Sequence, residues 1–96
     1  MSLAAELKSK RTRILEIARR HGVKRIRLFG SAARGEAREG SDVDFLIEVD
    51  KPLSPFFPGG LIADLEDLLE RPVDVVEERA LHPRMREEVL REAAAL

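Results

Sequence analysis

The stretch Asp42-Val43-Asp44-Phe45-Leu46-Ile47-Glu48-Val49 constrains the fold more than any other part of the chain. Its period of two reads as a strand over 42–49, with Val43, Phe45, Ile47 and Val49 on one face and Asp42 and Asp44 on the other. The apolar face needs a covering layer, and the remaining residues supply one. Leu3, Leu7, Ile14, Ile17 and Ala18 recur at helical spacing among Lys and Arg, which predicts an amphipathic helix over 3–20, with Ser2 as its cap and Gly22 as its end. Val23 to Phe29 reads as an earlier strand, with Ile26 and Leu28 opposite Arg25 and Arg27. Gly30 to Ser41 reads as a turn, a short helical piece around 32–34 and a loop. Pro52, Pro55, Pro58 and the pair Gly59-Gly60 interrupt any regular element over 50–60, which predicts a mobile loop. Leu61, Leu65, Leu68 and Leu69 mark a helix stopped by Pro72. Val73 to Val76 makes a short third strand, and His82-Pro83 opens a last helix with Met85, Val89, Leu90 and Ala93 on one side. The order of elements predicts a small α/β (α+β) domain, three strands packed against helices.

Ninety-six residues can bury one small core, so the expectation is a single domain over 1–96 with no room for a second one. The chain has no cysteine, which excludes a disulfide framework, a thiolate zinc site and a cysteine nucleophile. No apolar run is long enough for a membrane span. The charges Glu6, Lys8, Lys10 and Arg11 are unlike a signal peptide, and the expected location is cytoplasmic. The net charge of −1 hides an asymmetry: residues 1–41 carry 11 Lys/Arg against 4 Asp/Glu, and residues 42–96 carry 6 against 14. A basic half beside an acidic half lacks the single dominant positive face of a nucleic-acid binder. With no Trp or Tyr there is no stacking platform either, which argues against direct nucleic-acid binding. Cations that hold phosphates beside carboxylates that hold a metal would give the same asymmetry, as would two ordinarily solvated surfaces.

Asp42 and Asp44 should project together from their strand with Cα atoms about 6.5–7 Å apart, close enough to share a cation. Asp74 lies in Val73-Asp74-Val75-Val76, where an apolar residue would pack better. If the third strand neighbours the second, Asp74 joins the pair, and three oxygen ligands suit Mg²⁺ or Mn²⁺. Gly30-Ser31, at the end of the first strand, offers close backbone approach, a hydroxyl and an N–H, and Arg34 follows as a charged fork for phosphate.

Gly30-Ser31-Ala32-Ala33-Arg34-Gly35 followed by Ser41-Asp42-Val43-Asp44 resembles the signature of the DNA polymerase β-type nucleotidyltransferase superfamily, and in particular its minimal nucleotidyltransferase branch. The resemblance covers roughly residues 5–95. It implies a small mixed sheet, nucleotide phosphates on Gly30 and Ser31 with Arg34 nearby, and two divalent ions, Mg²⁺ or Mn²⁺, on Asp42 and Asp44. Asp74 would complete the metal site and help deprotonate an acceptor hydroxyl. The implied reaction moves a nucleoside monophosphate, AMP from ATP, onto a hydroxyl. Larger members add a second domain for base or acceptor. Minimal members are commonly paired with a small helical HEPN-domain protein in what are similar to toxin–antitoxin systems, where the acceptor can be a toxin tyrosine. The alternative is an antitoxin that neutralises its partner by occupancy alone.

The other polar residues read as structural. His21 and His82 lack ligand spacing, Arg25 and Arg27 suit a solvated strand face, and Glu77-Glu78 should face solvent. Ser31 has no accompanying His–Asp arrangement, so phosphate binding suits it better than a nucleophile's role. Phe56 and Phe57, adjacent among prolines, are either a docking site or a cap on the core.

Overall fold

The computed structural model describes residues 2–36, 40–51 and 55–96. Its sheet has three strands, β1 (Val23–Phe29), β2 (Val43–Val49) and β3 (Val73–Glu77), in that spatial order. β1 runs antiparallel to β2, and β3 runs parallel to it. A parallel pair needs a crossover, and the helix between them, α4 (Gly59–Leu69), supplies it. The sheet is therefore mixed and the fold is α+β, as expected.

The core lies on one face. Val43, Phe45 and Ile47 of β2 are completely buried against Ile14 and against Leu61 and Leu65 of α4. Leu61, Leu65 and Leu69 recur every fourth residue, the spacing that puts them on one side of the helix. The first helix differs from the single rod expected over 3–20. It is two consecutive helices, α1 (Leu3–Ser9) and α2 (Arg11–Arg20), joined at Lys10. The backbone ladder continues through the joint, because the Lys10 N–H bonds Glu6 O and the Ile14 N–H bonds Lys10 O. The Lys10 ammonium donates to Glu6 Oε1 at 3.1 Å and to Leu68 O at 3.0 Å, tying the joint to the end of α4. Ser2 caps α1 as expected, its Oγ accepting from Ala5 N.

Three further expectations are corrected. α4 ends at Leu69, before Pro72, where Glu70 takes a left-handed conformation (φ 54°). Gly59 and Gly60, placed in the preceding loop by the sequence, open α4; within that loop, residues 52–54 lie outside the described residues. The last helix, α5 (Pro83–Glu92), ends before Ala93, which turns to an extended conformation instead of continuing the helix; the helix buries none of its residues, and Met85 is 57% exposed. The segment after it does dock. Ala94 exchanges two hydrogen bonds with Leu28, each 2.8 Å, on the outer edge of β1. Among the described residues no helix is long and apolar enough to cross a membrane.

Candidate active site

The sheet face away from the core carries the chemistry. Register puts Phe29, Asp44 and Asp74 in one row across the three strands, with Arg27, Leu46 and Val76 in the next. Paired residues on adjacent strands lie about 5 Å apart, so Asp44 and Asp74 project side by side. Asp74 is exposed, and its Oδ1 accepts the N–H of Val75 at 3.0 Å. Asp42 does not share a strand with Asp44 as expected: β2 begins at Val43, and Asp42 is an exposed residue just before it. Its charge still reaches the row. The Asp44 carboxyl is raised above its ordinary value, first by burial, then by the charges of Asp74 and Asp42, while Arg34 pulls it back down.

Gly30 explains how Asp44 fits there. The first residue of the one-turn helix α3 (Gly30–Ala33), it has φ 69°, and a Cβ built on it would fall 2.6 Å from Asp44 Oδ2. A side chain here would need both a strained left-handed backbone and a shift of the Asp44 carboxylate, and glycine needs neither. Ser31 follows, half-buried, and Arg34 stands just beyond α3. Arg34 Nε donates to Glu36 Oε2 at 3.0 Å, and its Nη1 lies 3.6 Å from Glu92 Oε2. These contacts, the hydrogen bond to Glu36 first, hold the guanidinium even more firmly cationic than usual.

The donor set is all oxygen, as hard divalent cations require. The arrangement is open: among the described residues no three His, Cys, Asp or Glu side chains form a ready metal cage. The fit to a metal rests on Asp44 and Asp74 in one row, Asp42 adding its field, and the glycine that keeps side-chain bulk away from Asp44.

Other residues have structural roles. His21 Nε2 meets Asp64 Oδ2 at 2.7 Å, and His82 caps α5, its Nδ1 accepting from Arg84 N. Arg25 is an exposed cation 3.7 Å from Glu48. Arg27 and Glu78 depart from the solvated reading: they pair at 3.2 Å with little exposure, and Arg86 joins Glu78 at 3.6 Å. Phe56 and Phe57 divide the two roles weighed for them, Phe57 packing on the core and Phe56 being 86% exposed. Sequence reasoning missed Glu36 and Glu92 as partners of Arg34. The i,i+2 spacing of Arg34 and Glu36 was a weak local signal for the first; nothing local signals the second.

The site thus sets a carboxylate row on a mixed three-stranded sheet beside a Gly-Ser turn. Residues 11–96 match the family model of the nucleotidyltransferase domain, and the chain belongs to that family. It is similar to the protein adenylyltransferase MntA of Thermococcus cleftensis, 42% identical over 77 residues, which cover 80% of this chain and 78% of the relative. A solved structure provisionally named a minimal nucleotidyltransferase superposes with a TM-score of 0.87 at 46% identity, covering 100% of this chain and 97% of the other. A toxin–antitoxin crystal structure with AMP-PNP superposes with a TM-score of 0.72 at 24% identity, over 85% of this chain and 68% of the other; this likeness is one of fold. The chain is a nucleotidyltransferase of the minimal kind.

Proposed function

We propose that this chain, acting as one domain over 1–96, is a protein adenylyltransferase that moves AMP from ATP to a hydroxyl on a partner protein. The acceptor is a tyrosine of a small helical HEPN-type toxin encoded nearby. The observation that carries the reading is Gly30 against Asp44, because it joins the phosphate turn to the carboxylate row with no room for a side chain between them. The relative's name supports the reaction class, and the toxin–antitoxin likeness supports the kind of partner.

In this reading Gly30 and Ser31 hold the terminal phosphates through backbone N–H groups and the Ser31 hydroxyl, and Arg34 adds a charge-assisted contact. Asp42, Asp44 and Asp74 would hold two Mg²⁺ or Mn²⁺ ions, which supply charge neutralisation and Lewis acidity when bound. Asp74 takes the proton of the acceptor hydroxyl. Its Oδ1 accepts the Val75 N–H, which fixes the carboxylate to the strand's own backbone. The acceptor oxygen then bonds the α-phosphorus as the bond to pyrophosphate breaks.

The test mixes the chain with α-labelled ATP, Mg²⁺ and the partner. Label should pass to the partner with the parent chain and not with Asp44→Asn, while partner binding persists. Ser31→Ala should weaken ATP binding by about 1 kcal/mol, the scale of one hydrogen bond, and Arg34→Ala by more. The exposed Phe56 favours a second reading, neutralisation by occupancy. That reading wins if Asp44→Asn neutralises the partner as well as the parent does.

A further inference from the structure

We propose that Glu92, the last residue of α5, is a positioning residue for Arg34 that sets how much of the guanidinium's charge a nucleotide's phosphates can use. The proposal rests on Arg34 being a phosphate contact. Arg34 and Glu92 are 58 positions apart in sequence, yet Nη1 and Oε2 stand 3.6 Å apart. Backbone pairing brings them together. Two residues after Glu92, Ala94 exchanges its two hydrogen bonds with Leu28, and Leu28 is two residues before the Gly30 turn. Arg11 Nε donates to Leu96 O at 3.2 Å, and Leu96 packs against the core. Ala32 and Gly35, on either side of Arg34, share with Leu96 the wall of one cavity of about 550 Å³. The end of α5 is thus fastened to the same strand end from which the phosphate turn departs.

The consequence is a competition. Glu36 is a local tie, two residues from Arg34 in the chain. Glu92 is anchored on a different element, so Arg34 must leave it, or share it, to reach a phosphate. A triphosphate carries more charge than one carboxylate and wins that exchange, but Glu92 opposes it twice. It occupies the Nη1 side of the fork, and it adds a negative charge near an incoming anion. Asp44 also lies within the field of Arg34, so a guanidinium drawn toward Glu92 is less able to offset the carboxylate row.

Neutralising Glu92 should therefore tighten nucleotide binding, and only through Arg34. Titration calorimetry of ATP into the chain tests this with the parent, Glu92→Gln, Glu92→Asp, Arg34→Ala and the Arg34→Ala/Glu92→Gln double variant. Glu92→Gln should bind ATP about two- to fivefold more tightly, the scale of one exposed ion pair, and the gain should shrink as salt is raised. Glu92→Asp, which keeps the charge, should stay near the parent. In the Arg34→Ala background, Glu92→Gln should change nothing. Equal tightening in both backgrounds overturns the proposal, since Glu92 would then act by general repulsion. A weakened Arg34→Ala with a silent Glu92→Gln overturns the proposal alone. An Arg34→Ala chain that binds ATP like the parent overturns both this proposal and the phosphate role of Arg34.

Discussion

On one face of β2, Val43, Phe45 and Ile47 are completely buried among leucines and isoleucines; on the other, Asp44 stands in a row with Asp74 and within the field of Asp42. The first face is favourable at every position, each fully buried apolar side chain contributing about 1.5–3 kcal/mol. On the second, like charges repel and one carboxylate is partly desolvated. The two faces share a single backbone, and that coupling is instructive. β2 cannot carry Asp44 away from Asp74 on β3 without pulling Phe45 and Ile47 out of the core, so packing on one side holds the electrostatic strain on the other.

Substitutions on the two faces should therefore differ in size and in sign. Phe45→Ala removes the largest wholly buried side chain and should cost about 3–5 kcal/mol, read as a fall in the urea midpoint. A chain that tolerated it would show that the core face does not hold the strand. Gly30→Ala forces a Cβ into both a left-handed backbone and the Asp44 carboxylate; it should cost about 1–3 kcal/mol and remove transfer activity. Normal activity in that variant would mean that the close approach is incidental.

Asp44→Asn should act in the opposite direction, gaining about 0.5–1 kcal/mol at pH 7 after allowing for solvent screening of a half-exposed group. The sign follows from protons. Because the Asp44 carboxyl is raised above 3.8 in the fold, the native state binds more protons than the unfolded state just above that pH, and stability falls as pH rises through this window. The penalty is complete well above the raised value and fades as pH falls well below 3.8, so the gap between parent and Asp44→Asn in thermal unfolding should close as the pH is lowered through this window. A gap that persisted there would assign the gain to something other than ionisation. The smallest effect is expected off the sheet: Phe56→Ser should change stability by less than about 0.5 kcal/mol, whereas Phe57→Ser should lower the midpoint measurably.

Much of this arrangement is legible in the sequence because it is written in short periods. The alternation from Val43 to Val49 gives the core face, Asp74 is conspicuous in an apolar strand, and the Gly-Ser turn marks the end of β1. The parts that sequence does not show depend on distant partners. Lys10 interrupts the first helix while holding Leu68 O, across 58 residues, and no helical period contains that contact. Leu46 alternates with the core residues and lies on the same face as Asp44, yet it is 1% exposed, in the row with Arg27 and Val76. The apolar residues of α5 share one side, but what docks is Ala94 and Leu96 beyond it, two small or lone apolar residues with no periodicity to reveal them. Register brings Asp44 and Asp74 into one row on neighbouring strands, whereas Asp42 lies just before β2, which begins one residue later than alternation suggests.

The pairing of Ala94 with Leu28 also bears on how the chain behaves in a crowded solution. β1 is a border strand, and an open border exposes N–H and C=O groups that a strand from another molecule can pair with, the first step of sheet-to-sheet association. Here the chain covers part of that border with its own last residues, while Lys24 and Arg25, both exposed, place cations further along the same strand. The same two hydrogen bonds thus serve the edge and the placing of Glu92, and removing Ala94 would leave the Leu28 N–H and C=O open to a strand from another molecule.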